Sequence, residues 1–164
     1  MIYSEEQRFN QKWVRFILWS ITILCIIISA LVIIQGKANY IVGLLPSIFS
    51  IMLLILFSKI KLEIMINENM LEYKFKPFLH RIITRDKIKR VSVVDYDPIS
   101  EYGGWGIRYG KKGWAYTVKG VHGIKIITSL GKTILIGTSK PLEVSEFLQK
   151  YYSGVFNNNE ITKA

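Results

Sequence analysis

Two stretches of this chain run uncharged for long enough to cross a bilayer. Phe16–Gly36 and Ala38–Ser58 are 21 residues each, bounded by Arg15, Lys37 and Lys59. A helix of that length reaches roughly 30 Å, the thickness of a hydrocarbon core. A buried helix of a soluble domain normally keeps a polar stripe, whereas both runs are apolar on every side. The spacing predicts transmembrane helices at about 14–35 and 40–58, a hairpin over 14–58 after an N-terminal tail at 1–13. The first run is too long for the apolar region of a cleaved signal peptide, and Thr22-Ile23-Leu24 lacks the small residues that precede a lipoprotein cysteine. Cys25, the single cysteine, excludes an intramolecular disulfide and reads as a small hydrophobe within the first helix.

Positive charges set the expected orientation. Arg8, Lys12 and Arg15 precede the first run and Lys59 and Lys61 follow the second, while the connection Gln35–Asn39 offers only Lys37. This bias places both termini and the C-terminal domain in the cytoplasm of a multi-pass protein of the plasma (inner) membrane. Trp13, Trp19 and Tyr40 fall near the span ends, where amphipathic rings favour the headgroup boundary. Pro46 can bend the second helix, and Gly43, Ser47 and Ser50 form a small-residue face for close packing against a neighbour. Neither run contains Asp, Glu or His, so the pair offers no proton relay or ion pathway of its own.

Beyond Lys59 the period changes to two. Leu62, Ile64 and Ile66 alternate with Lys61 and Glu63, and Leu71, Tyr73 and Phe75 alternate with Glu72 and Lys74. Strands are predicted at Lys61–Asn67, Met70–Lys76, His80–Thr84, Arg90–Asp95, Gly106–Tyr109, Ala115–Val118, Gly123–Thr128 and Thr133–Ile136. Asp97-Pro98, Gly103-Gly104, Gly110–Gly113 and Leu130-Gly131-Lys132 read as turns. Val144, Phe147, Leu148 and Tyr151 then follow helical spacing, giving a helix over 141–152 with Thr138 or Ser139 as its cap and Pro141 in its first turn. The β domain is expected at 59–152, followed by a flexible tail at 153–164. A bent antiparallel sandwich or barrel leaves an open corner that such a helix can plug.

The segments Tyr102-Gly103-Gly104-Trp105-Gly106-Ile107-Arg108, Trp114-Ala115-Tyr116, Gly123-Ile124 and Ile136-Gly137-Thr138, running into Pro141 and the last helix, carry a resemblance. The chain resembles the bacterial pleckstrin-homology-like domain proteins, in particular small membrane proteins with two transmembrane helices before such a domain. The resemblance implies an α+β membrane protein: a transmembrane hairpin, then a pleckstrin-homology-like antiparallel β-sandwich or barrel capped by a C-terminal helix. It implies little about activity, because such folds host lipid, peptide and structural roles alike.

The net charge of +10 is divided unevenly. Residues 1–60 carry five basic and two acidic side chains, and residues 61–164 carry 17 and 10. Arg81, Arg85, Lys87, Lys89 and Arg90 cluster in ten positions, and Lys111 and Lys112 form a smaller pair. Each Lys or Arg close to an anionic leaflet is worth about 1 kcal/mol, so these residues suit electrostatic seating on anionic lipid headgroups. Trp105 and Arg108 within the glycine-rich segment are a further candidate contact with membrane or partner, set against a plain hairpin corner with a packed indole. Nucleic acid suits the charge less well, since the one amphipathic helix carries Glu143 and Glu146 and no groove-reading basic face.

Catalytic signals are sparse. His80 and His122 stand alone, and no phosphate loop or nucleophile motif occurs. Asp95 and Asp97 flank Tyr96 before Pro98, a pattern that suits a cation less well than an Asx turn. The sequence therefore points to a non-catalytic interaction or scaffolding module, with no metal and no cofactor, that meets lipid, a protein partner or a second copy at the cytoplasmic leaflet. One rival is an accessory subunit of a membrane transporter or enzyme complex, bound through the Gly43–Ser47–Ser50 face. The other is an enzyme using Asp95, Asp97 or His122 in a cleft.

Overall fold

A computed structural model of the chain describes residues 1–9, 11–36 and 39–157. Lys37 and residues 158–164 lie outside the described residues. The chain divides into two compact units, Phe9–Ile60 and a second made of Met1–Arg8 together with the residues from Lys61 onward.

The first unit is a helical hairpin of α1 (Lys12–Ile34) and α2 (Tyr40–Lys59), within two residues of the predicted spans. Helix α1 ends at Gly36, which takes φ +63° and donates its N–H to the Ile33 carbonyl, a left-handed C-terminal position that favours glycine. Asn39 caps α2 by accepting from the Ile41 N–H at 3.0 Å. The helices run antiparallel, with Gly43 against Ile33 and Ser47 against Ser29. The residues they bury are small or hydroxylic, Thr22, Ser29, Gly43, Ser47 and Ser50, while Phe16, Trp19, Leu24, Ile27, Leu45 and Phe49 face outward. Both helices are long and apolar enough to cross a membrane.

The second unit holds two sheets. Sheet 1 is an antiparallel meander of β1 (Tyr3–Arg8), β2 (Lys61–Ile66), β3 (Met70–Lys76) and β4 (Leu79–Thr84). Sheet 2 contains β5 (Ile88–Asp95), β6 (Gly106–Gly110), β7 (Gly113–Thr117), β8 (His122–Thr128) and β9 (Thr133–Gly137), in the order β5-β8-β9-β7-β6. The core is the alternating apolar set read from the sequence, including Leu62, Ile64, Leu71, Val91, Ile124, Ile126 and Ile136. Helix α4 (Pro141–Tyr151) adds Val144 and Leu148, and buried Tyr152 after it donates its hydroxyl to the Asn67 carbonyl at 2.7 Å.

Five expectations change. The expected tail at 1–13 contains β1, which pairs with β2 from Tyr3↔Ile66 to Arg8↔Lys61, so the β unit is discontinuous and the hairpin is inserted into it. The expected tail at 153–164 begins in an ordered manner: the Val91 N–H donates to Val155 and the Asn157 N–H donates to Val91, covering the outer edge of β5. Sheet 2 is not purely antiparallel, because β9 folds back beside β8 and inserts next to β7, and the two reversals into and out of β8 make β7 and β9 parallel. Asp97-Pro98 opens a short helix, α3 (Pro98–Tyr102), instead of forming a bare turn. Thr138 and Ser139, the expected caps of α4, donate their hydroxyls to Glu5 instead.

Candidate interaction surfaces

The basic segment separates into different environments. Arg81 lies on β4 opposite Tyr73 and is exposed at the edge of sheet 1. Lys87, Lys89 and Arg90 are exposed around the start of β5 in sheet 2, beside an irregularity in the β5–β8 pairing between Ile88 and Arg90. Arg85 leaves the candidate surface altogether. Its guanidinium donates to the Tyr151 carbonyl at 2.6 Å, closing the C-terminal end of α4, and sits 5.0 Å over the Tyr152 ring. Contiguity in sequence therefore does not become a converging pocket, and Arg85 is a packing residue.

The glycine-rich segment is pinned in place. Trp105 is half-buried, with its Nε1 donating to the Gly120 carbonyl at 2.9 Å, the same oxygen that the Tyr96 hydroxyl reaches at 3.3 Å. Arg108 is exposed and donates from Nε to the Trp105 carbonyl. Gly103 adopts φ +70° to end α3, and Tyr102 of that helix packs with Tyr96, which precedes it, and with Ala115 and Leu135 in a small apolar cluster. Burial pushes the Tyr96 hydroxyl up to about 12. Lys111 and Lys112 occupy the exposed β6–β7 turn, with Lys112 paired to Glu101 at 2.9 Å. Beside them the exposed rings of Tyr109 and Trp114 face each other across the hairpin at 5.2 Å, and Trp114 stacks on Tyr116.

The carboxylates suspected of chemistry take different tasks. Asp97 Oδ1 accepts from the Ile99 and Ser100 N–H groups and caps α3, which holds its carboxyl below the usual range. Asp95 pairs with His122 across β5 and β8, both partly exposed, and no group of three metal-ligating side chains occurs among the described residues. His80 bonds Glu72 on the outer face of sheet 1 at 2.7 Å. The Gly43–Ser47–Ser50 face packs within the hairpin, where the Ser47 hydroxyl donates to Ser29 Oγ at 2.8 Å, so α1 occupies the surface considered for a partner subunit.

Two polar constructions escaped the sequence. On the outer face of sheet 1, Arg8 and Lys61 bond Glu6, Lys61 and Lys76 bond Glu63, and Lys74 bonds Glu72, all at 2.6–2.9 Å. Strand pairing sets Glu6 directly opposite Glu63, and Lys61 between them relieves the repulsion. Bonds from Lys61 and then Arg8 lower the Glu6 carboxyl. Burial raises Glu63, but Lys61 and Lys76 outweigh it and the net shift is downward. On the inner face, Glu5 is buried and accepts four bonds: from Tyr3 Oη, Thr138 Oγ1 and the Ser139 N–H at 2.7 Å, and from Ser139 Oγ at 2.5 Å. Gln7 adds a bond from Nε2 to the Gly137 carbonyl at 2.7 Å. Strand β1 is thereby fastened to the β9–α4 junction as well as to β2. Regular alternation in Tyr3–Arg8 was the only available signal, and its inward residues are mostly polar.

No protein-family model, curated protein or solved structure matches the chain.

Proposed function

We propose that this chain is a membrane-anchored, non-catalytic interaction module: α1 and α2 cross the bilayer as a hairpin and hold a pleckstrin-homology-like β domain at the cytoplasmic leaflet of the plasma membrane. The observation that carries this reading is the insertion of an outwardly apolar helix pair between two strands that are register partners. Arg8 and Lys61 pair in one ladder, so if each helix crosses once, its outer end lies on the same side as the other's. In water, the outward Phe, Ile, Leu and Trp side chains of α1 and α2 would form an apolar surface far larger than soluble proteins tolerate. The excess of Arg and Lys at the helix ends joined to the β unit favours the cytoplasm for that side.

The scaffolding role is supported by what the β unit offers: exposed basic side chains, the exposed Tyr109–Trp114 pair, Asp97 engaged in capping, and His80 and His122 engaged in hydrogen bonds with Glu72 and Asp95. Single cysteines placed at Leu130 and Ile2 in a Cys25→Ser background test the topology. Both should react with a membrane-impermeant maleimide only after permeabilisation. Labelling of either in intact cells overturns the cytoplasmic assignment.

A further inference from the structure

Resting on the membrane reading above, we propose that the β3–β4 turn, Lys76-Pro77-Phe78, is a second, non-covalent contact with the bilayer, in which the Phe78 ring enters the headgroup layer of anionic phospholipid and Lys76 meets its phosphates. The argument starts from register. Arg8, Lys61 and Lys76 form one row across β1, β2 and β3. This row is the end of sheet 1 where the chain leaves for both helices: only Ile60 separates Lys61 from α2, and three residues separate Arg8 from α1.

Chain length then bounds the distance whatever the orientation of the units. Two residues span at most about 7 Å, so Lys61 lies within that distance of Lys59, the last residue of α2. Lys76 is its neighbour on the next strand, about 5 Å further. Phe78 follows two residues later, 55% exposed, its N–H bonded to the Phe75 carbonyl at 2.8 Å and its ring 6.5 Å from that of Phe75. An aromatic ring on a hydrogen-bonded turn has little freedom left to lose on insertion.

Charge favours lipid as the occupant. Along this end three cations, Arg8, Lys61 and Lys76, share two carboxylates, Glu6 and Glu63, and Lys12, Arg15 and Lys59 follow on the adjoining helix ends. Such a surface suits anionic headgroups, and tethering through two chain crossings makes the encounter intramolecular, so a single ring suffices. Leu130 provides the contrast. It is 84% exposed but sits in the β8–β9 turn, where the neighbouring Ser129 bonds the carbonyls of Asp86 and Lys87. The Asp86–Lys87 segment to which it is tied follows Thr84, the residue opposite Met70, about 20 Å along sheet 1 from Lys76.

The test uses the full chain in proteoliposomes of phosphatidylcholine and phosphatidylglycerol, with a Cys25→Ser background and an environment-sensitive fluorophore at one cysteine: Phe78→Cys, Leu130→Cys or Ile27→Cys. The Phe78 probe should emit to the blue of the Leu130 probe and be quenched several-fold more by lipid spin-labelled near the headgroup than deep in the chain. The Ile27 probe should show the reverse depth preference. A Phe78 probe that matches Leu130 while Ile27 is quenched overturns this proposal and leaves the membrane reading standing. An unquenched Ile27 probe overturns both. A Phe78 probe that is water-exposed in liposomes but shielded in native membranes also overturns it, in favour of a protein at this turn.

Discussion

The hairpin and the β unit are packed in opposite senses. In the β unit Leu62, Ile66, Leu71, Ile126 and Leu148 are sealed inside, and the outer face of sheet 1 is a lattice of Lys, Arg and Glu. In the hairpin the sealed residues are Thr22, Ser29, Gly43, Ser47 and Ser50, and the outer surface is Ile, Leu, Phe and Trp. Burial of apolar area drives the first arrangement in water. It does not account for the second, whose buried contacts are close backbone approach and hydroxyl pairing, the kind that hold helices together among lipid tails. One chain thus packs its two units on opposite principles, as the proposed membrane hairpin requires, and the change falls within the one or few residues on either side of Arg8 and Lys61.

The largest test of this contrast deletes the same side chain in both units. Leu148→Ala, at a fully buried site, should cost the β unit about 2–5 kcal/mol in urea unfolding followed by tryptophan fluorescence. Leu24→Ala, outward on α1, should leave that transition where it was. Equal shifts would mean that the helices share an aqueous core with the sheets, and the contrast fails. Next comes Glu5→Gln, which keeps the shape but replaces an acceptor-only carboxylate facing four donors. A loss of about 1–3 kcal/mol is expected, read as faster proteolysis after Arg8 or a lower urea midpoint.

Within the hairpin, Ser47→Ala removes the bond to Ser29 and should weaken helix association by about 0.6 kcal/mol in bicelles, as hydroxyl pairs in membranes do. A Gly43→Leu change should add a steric effect, since even a Cβ there meets Ile33 at 3.0 Å. The smallest effect belongs to the surface lattice. The Glu6, Glu63 and Glu72 carboxyls are held below their ordinary value of 4.5, so the stability they lend is present above that pH and lost as pH falls through their lowered folded-state values. The urea midpoint should therefore drift down on acidification below about pH 4.5, and high salt should flatten the drift.

Alternation of side chains made β2 to β9 legible, because Leu62, Tyr73, Val93 and Ile124 announce an inward face within their own strands. The spans of α1 and α2 were legible from length and the absence of charge. Strand β1 was not, since Glu5 and Gln7 point inward only because Thr138, Ser139 and Gly137, some 130 residues away, complete their hydrogen bonds. Strand order was equally hidden: nothing local to Thr133–Gly137 specifies that β9 inserts between β8 and β7. Among candidate contact residues, Arg85 and Lys87 look alike in sequence, and only the position of Tyr152 and the end of α4 assigns one to packing and leaves the other in water. Asp97-Pro98 carried its signal openly, an N-cap with proline at the next position, but a five-residue helix lacks the periodicity that would separate it from a turn.

The placement of β1 ahead of the hairpin also imposes an order of events during synthesis. Its partner β2 emerges only after the 52 residues Phe9–Ile60. At about 5–20 residues per second, that is an interval of roughly 3–10 s in which β1 has no ladder to join. The bonds from Thr138 and Ser139 to Glu5 wait longer still, until nearly the whole chain is made. Completion of the sheet therefore requires that both helices have already been made, and until then the first strand has no partner to claim it.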